Sequence, residues 1–123
     1  MRPRHGPEFK IQQTLIDFLT KRGWLVERLI GNAFQQGIPD LYCYHPKWGE
    51  RWVDVKVKGH YSFTRAQKHK WPKWAKFGVG VWILTGVEDY DLLFQPPNWK
   101  DYWKDSWGQI DVEALLDDIT ETT

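Results

Sequence analysis

The first periodic stretch of the chain has apolar side chains at helical spacing. Ile11, Leu15, Phe18 and Leu19 fall on one face, and Lys10, Gln13, Asp17 and Lys21 fall on the other. Gly6-Pro7-Glu8 supplies the start signals, with proline at the first helical position and a carboxylate in the first turn, and Gly23 supplies the stop. Glu8 lies on the apolar stripe, three residues before Ile11 and seven before Leu15. A carboxylate at the end of a core-facing stripe needs a reason to be there.

The period then shortens. Trp24 to Ile30 predicts a first strand, Gly31 to Pro39 a loop, and Leu41 to Tyr44 a short second strand, with a turn over residues 45–50. Trp52 to Val57 alternates, placing Val53, Val55 and Val57 on one face and Trp52, Asp54 and Lys56 on the other. After the Gly59-His60-Tyr61-Ser62 loop a second helix is expected from Thr64 to Phe77, kinked at Pro72 and stopped by Gly78. Val79 to Leu84 reads as a buried strand. The order α-β-β-β-α-β predicts an α/β fold, a mixed central sheet flanked by helices.

The remaining third breaks this order. Tyr90 to Phe94 reads as an edge strand ended by Gln95-Pro96-Pro97, and Asp111 to Ile119 as a short acidic helix capped by Asp111. Trp99, Trp103 and Trp107 recur every four residues, one stripe if that stretch is helical. Such a stripe docks on its own domain, forms a subunit interface or stacks on bases, in falling order of expectation. Trp24, Trp52, Trp71, Trp74 and Trp82 fall in periodic segments and are expected to pack the core or cover the sheet.

Composition changes this picture in one respect. A length of 123 residues fits one domain, residues 1–123, and 41% hydrophobic content excludes a disordered chain. The apolar run Val79–Leu84 is too short to cross a bilayer, no signal-peptide pattern precedes Gly6, and a lone Cys43 allows no internal disulfide. A cytoplasmic protein with no membrane partner is the expectation. The net charge of +1 looks indifferent, yet residues 47–76 carry nine basic against two acidic groups, and residues 87–123 carry two against ten. The average conceals a basic middle and an acidic C-terminal extension.

The basic middle contains the candidate chemistry. Asp40 sits where a loop enters a strand, and Asp54 and Lys56, two residues apart on the next strand, share a face. If those strands pair, two carboxylates and an ammonium converge. Carboxylate pairs suit a hard cation such as Mg²⁺, which polarises a phosphoryl oxygen and supplies hydroxide near neutral pH. Lys56 would position the attacking water or stabilise charge on phosphorus. The bland alternative is a capped turn at Asp40 and a solvent-facing strand at Asp54 and Lys56. Thr64-Arg65-Ala66-Gln67 has the form of a capping box, so Gln67 either reaches back to the Thr64 N–H or points into the site, and the two are compatible. Beyond it, Arg65, Lys68, His69, Lys73 and Lys76 form a basic helix face, and Lys58 and His60 lie on the preceding loop. Backbone phosphates are the natural partner of such a patch. The four histidines lack metal-ligand spacing, and Cys43 alternates with Leu41 as a core position.

These residues resemble a known group. Pro39-Asp40 with Asp54-Val55-Lys56 is similar to the PD-(D/E)xK nuclease signature. Gly37-Ile38-Pro39-Asp40-Leu41, the Asp-Val-Lys strand and Gln67 together resemble a virus-type replication-repair (VRR-NUC) nuclease domain, over roughly Gly6 to Gly86. The resemblance implies a restriction-endonuclease-like sheet between helices and bound Mg²⁺ or Mn²⁺. It implies metal ligation by Asp40, Asp54, the main-chain oxygen of Val55 and Glu8, with Lys56 as catalytic lysine and Gln67 as the site glutamine. Asp54 stands where the family usually carries glutamate, which leaves one or two metals open.

The expected activity is therefore hydrolysis of DNA phosphodiesters by a metal-dependent endonuclease. Small nucleases of this class resemble four-way-junction resolvases, which are homodimers. Branched DNA such as a Holliday junction, a homodimer, and a phage source acting in the host cytoplasm are expected on that resemblance. Flap, nicked or linear DNA, RNA, and a non-catalytic nucleic-acid-binding module of the same fold are the alternatives.

Overall fold

The computed structural model describes residues 6–29 and 36–107, the last four without their side chains. Helix α1 spans Pro7–Thr20, with Pro7 at its first position and Glu8 in its first turn. Leu15 and Leu19 are fully buried, while Lys10, Gln13, Asp17 and Lys21 are exposed, as the spacing requires. Strands β1 (Leu25–Arg28), β2 (Leu41–His45), β3 (Gly49–Val55) and β4 (Val81–Leu84) form one sheet in the order β1-β2-β3-β4. The first two pairings are antiparallel and β3–β4 is parallel, so the sheet is mixed.

Strand lengths differ from the sequence reading at the ends. The hairpin pairing His45 with Gly49 draws Gly49 and Glu50 into β3, so the expected turn shrinks to residues 46–48. Gly49 adopts φ +86°, the left-handed geometry a tight hairpin needs and glycine tolerates. At its other end β3 stops at Val55, so Lys56 lies just past the strand; its N–H still donates to the Leu84 carbonyl, 3.1 Å. Val57 is not in β3 but bridges His60 in a turn.

Alternation along the strands creates two cores. Val53, Val55, Trp82, Leu84, Leu41 and Cys43 pack with Leu15, Leu19 and Trp24 on the α1 side. Val81 and Ile83 face the other way, toward Phe63 and Trp71 of the second layer. That layer includes helix α2 (Arg65–Lys76), which continues through Pro72, and helix α3 (Trp99–Trp107). Trp103 packs on Phe63 and Trp71 and Trp99 packs on Trp103, so these two members of the tryptophan stripe dock on their own domain, while the Trp107 side chain lies outside the described residues. Trp24, Trp71 and Trp82 are buried; Trp52 and Trp74 are half-buried and meet edge to face, centroids 5.2 Å apart.

The expected edge strand at Tyr90–Phe94 is a 3-10 helix over Val87–Phe94. Val87, Tyr90 and Leu93 recur every three residues, the period of that helix, and all three pack on the α1-side core. Asp89 starts it by accepting from both the N–H and the hydroxyl of Thr85, each at 2.7 Å. The open edge of β4 is instead satisfied by one side chain. Asn98 accepts from Ile83 N–H at 2.7 Å and donates to the Ile83 carbonyl at 3.0 Å, imitating a neighbouring strand. The acidic helix expected over Asp111–Ile119 lies outside the described residues. Among the described residues, no helix is long and apolar enough to cross a membrane.

Candidate active site

The ends of β2 and β3 bring the two aspartates together. Register pairs Leu41 with Val53, so β2 begins two residues short of covering Val55. Asp40 fills the gap, its Oδ2 accepting from the Val55 N–H at 2.8 Å, while its carbonyl accepts from Leu29 at 2.8 Å. The loop carrying Asp40 is pinned from α2. The Trp71 indole donates to the Gly37 carbonyl at 2.7 Å, and Gly37 (φ +85°) sits so close to helix α2 that a Cβ there would come within 2.8 Å of the Ala66 carbonyl. The Gly-x-Pro-Asp spacing thus places Asp40 by a close approach that only glycine permits.

Asp54 and Lys56 are not on a solvent-facing surface. Asp54 is 1% exposed and Lys56 6% exposed, and they form an ion pair of 3.0 Å. Gln67 closes the cluster. Its Oε1 accepts from Lys56 Nζ at 3.2 Å, and its Nε2 lies 3.4 and 3.5 Å from the two Asp54 oxygens. The same Oε1 accepts from Thr64 N–H at 3.0 Å, and Thr64 Oγ1 accepts from Gln67 N–H at 3.1 Å. Gln67 therefore both caps the helix and meets the Asp54–Lys56 pair, so the helix terminus itself fixes the glutamine against that pair.

The charges in this cluster are strained against one another. Burial, then the neighbouring Asp40 charge and that of Glu8, push the Asp54 carboxyl up to about 8, against the opposing pull of Lys56. Burial also raises Asp40, offset by the Val55 N–H and by the positive charge of Lys56. Glu8 is raised by burial and by Asp40. Glu8 is exposed on the first turn of α1, at the rim of the cluster, and its charge is felt by both aspartates. Among the described residues no three His, Cys, Asp or Glu side chains close into a finished metal cage. The donor chemistry still fits a hard divalent cation. Crowded carboxyl groups, buried and held by backbone and amide groups, are all-oxygen ligands whose charged form a cation would favour in place of a proton.

The basic positions surround this cluster unevenly. Lys58, His60, Arg65, His69, Lys73 and Lys76 are exposed and Lys68 is half-buried. Lys58 and His60 occupy the turn directly after Lys56, and Gln67 anchors the first turn of α2 in the site. Lys73 and Lys76 follow about 9 and 14 Å further along the helix axis at 1.5 Å per residue. Cys43 is buried among the α1-side core residues and burial raises its thiol to about 12, so it is no nucleophile.

Two neighbours of the cluster escaped sequence reasoning. Lys56 Nζ lies 4.7 Å from the centre of the Phe63 ring, a cation–π contact. Arg28 ends β1, donates to Gln12 Oε1 at 3.1 Å, stacks 4.1 Å from the Phe9 ring centre and offsets the rise at Asp40. Gln12 lies four residues beyond Glu8, one helical turn on the same face, and that spacing was the available signal.

No protein-family model matches the sequence, and no curated protein matches it. Among solved structures, one described as a VRR_NUC domain superimposes with a TM-score of 0.59 at 22% identity, over 72% of this chain and 94% of that one. The chain therefore has the fold of that VRR_NUC domain structure, a mixed four-stranded sheet between helices.

Proposed function

We propose that this protein is a divalent-metal-dependent endonuclease that hydrolyses phosphodiester bonds in DNA. The observation that carries the reading is the buried Asp54–Lys56–Gln67 cluster facing Asp40 at the ends of β2 and β3. A sheet face that merely needed polar cover would not bury an ion pair beside a second carboxylate, because desolvating such groups costs several kcal/mol per ion. The VRR_NUC fold supports the same reading.

Asp40, Asp54, the main-chain carbonyl of Val55 and Glu8 would hold Mg²⁺ or Mn²⁺. When bound, such an ion stabilises charge on a phosphoryl oxygen and lowers the pKa of water. Lys56 acts from the other side. Its ammonium has three donors, of which Asp54 Oδ2 and Gln67 Oε1 take two. The third is left for the attacking water or a non-bridging oxygen of the scissile phosphate. Phe63 and Gln67 hold that ammonium in place, so little reorganisation accompanies the reaction. Water attacks phosphorus in line, forming a new P–O bond as the bond to the departing sugar oxygen breaks; the attacking water gives up a proton to solvent and the departing oxygen takes one from solvent.

Lys58, His60, Arg65, Lys68, His69, Lys73 and Lys76 supply the phosphate contacts of this reading, sequence-independent and salt-sensitive. Branched DNA is the proposed substrate and a homodimer the proposed assembly, since symmetric resolution of a junction needs two cuts. A phage-encoded enzyme working in the host cytoplasm fits these properties. The test is cleavage of labelled four-way junction, flap and linear duplex in Mg²⁺, in Mn²⁺ and in EDTA. Cutting in either metal, abolished by EDTA and fastest on the junction, is expected. No cutting of any substrate in either metal overturns the reading, and cutting that persists in EDTA overturns the metal assignment.

A further inference from the structure

The parallel strands β3 and β4 both end at the cluster, and a groove of about 490 Å³ opens beyond them. It is lined by Lys58 and Gly59 from the tight turn after Lys56, by Thr85, the residue after β4, by Asp89, and by Tyr61 and Tyr102. Crevices beyond the carboxyl ends of parallel strands are where α/β sheets bind ligands, and this volume lies in the usual range for one small-molecule ligand, about 300–1,000 Å³.

Three features narrow the ligand. Lys58 is an exposed cation at the rim. Tyr61 and Tyr102, both half-buried, line the groove and meet edge to face, centroids 5.4 Å apart. The one carboxylate in the groove is already engaged, because Asp89 Oδ2 accepts twice from Thr85 at 2.7 Å. Continuity with the reaction centre runs through aromatic rings: Tyr61 packs on Phe63 at 5.9 Å, and Phe63 lies under the Lys56 ammonium.

From these we infer that the groove binds one unpaired nucleotide of the strand being cut, its base stacked on Tyr61 and Tyr102 and its phosphate on Lys58. The inference rests on the proposed nuclease reading and adds a substrate preference to it, because a base within a duplex is already stacked and has no reason to enter. It also gives α3 a task. Tyr102 reaches the groove from a helix outside the Gly6–Gly86 stretch that carries the nuclease motifs.

The test is binding of a branched DNA carrying a single abasic site, moved position by position across the branch, with Ca²⁺ replacing Mg²⁺ so that the strands stay whole. In the wild type, one abasic position beside the cut bond weakens binding about tenfold, within the range for a base–aromatic stack. Tyr102→Ala weakens binding of the intact DNA by a similar factor and makes that position indifferent, whereas Tyr102→Phe behaves as the wild type. If Tyr102→Ala fails to melt cooperatively, Tyr102→Leu replaces it, filling the space without an aromatic face. Lys58→Ala lowers the slope of log affinity against log salt by about one. A wild type that binds branched DNA with a flat abasic profile, or a Tyr102→Leu variant as position-sensitive as the wild type, overturns the groove assignment alone. A wild type that neither binds nor cuts DNA overturns the nuclease reading and this inference with it.

Discussion

The ionisation of Asp54 gives the sharpest prediction about the metal-free protein. Burial and the neighbouring carboxyl groups push its carboxyl up to about 8 in the folded chain, from an ordinary value of 3.8. The shift is upward, so between these values the folded state holds a proton that the unfolded state has released. Stability contributed by this group is therefore greatest at low pH and is lost as pH rises toward 8, opposite to the usual behaviour of an ion-paired aspartate. The limiting slope is about 1.4 kcal/mol per pH unit, falling to half that at the folded pKa, which gives a loss of about 2 kcal/mol between pH 6 and pH 8. Asp54→Asn removes the titration while keeping the size and an acceptor for Lys56. Urea unfolding in EDTA at pH 6, 7 and 8 should show the wild type losing about 2 kcal/mol more than the variant across that interval. Subtracting the variant cancels every group whose contribution is the same in both proteins. A wild-type curve parallel to that of Asp54→Asn would refute the picture of a buried carboxylate held against its neighbours.

Other perturbations test how the site is built and used. Gly37→Ala puts a Cβ against the Ala66 carbonyl at a positive φ, and should cost about 1–3 kcal/mol by thermal or urea unfolding while slowing cleavage, because Asp40 rides on that loop. Asn98→Ala leaves both backbone groups of Ile83 without partners on the edge of β4. About 1–3 kcal/mol of stability should be lost, with no change in the pH dependence of cleavage in the surviving folded fraction. The pair Lys73→Ala/Lys76→Ala should reduce the salt slope of duplex binding by about two and leave the cleavage rate at saturating DNA unchanged, as expected of remote phosphate contacts.

The parts legible in the sequence were those fixed by short-range geometry. Period-two alternation put Asp54 and Lys56 on one face without knowledge of the partner strands, and the capping pattern Thr64-Arg65-Ala66-Gln67 fixed where α2 begins. The Gly37-Ile38-Pro39-Asp40 run was legible as a loop, yet its close contact with Ala66 and Trp71 depends on a helix that starts almost thirty residues later. The 3-10 helix was misread as a strand because Tyr90-Asp91-Leu92-Leu93-Phe94 is apolar enough for either. What decides is Asp89 on Thr85 and the three-residue spacing from Val87, together with Asn98 taking the sheet edge a strand would have used. The burial of Asp54 and Lys56 was also beyond the sequence, since it comes from Gln67 and Phe63 closing over them. Arg28 and Tyr102 come near the cluster and its groove only through tertiary packing; the Glu8/Gln12 spacing is the one local hint of Arg28, and no local pattern marks Tyr102.

The central claim is that the buried aspartate and lysine perform chemistry rather than support the sheet. Lys56→Met and Asp54→Asn, each compared with wild type for cleavage of a branched DNA in Mg²⁺ and for binding of the same DNA in Ca²⁺, test it most directly. The account predicts cooperative unfolding in both variants, cleavage reduced by at least about 10²-fold, the scale of losing one preorganised donor to a transition state, and binding within a few-fold of wild type. Variants that bind and cut as the wild type does would contradict it.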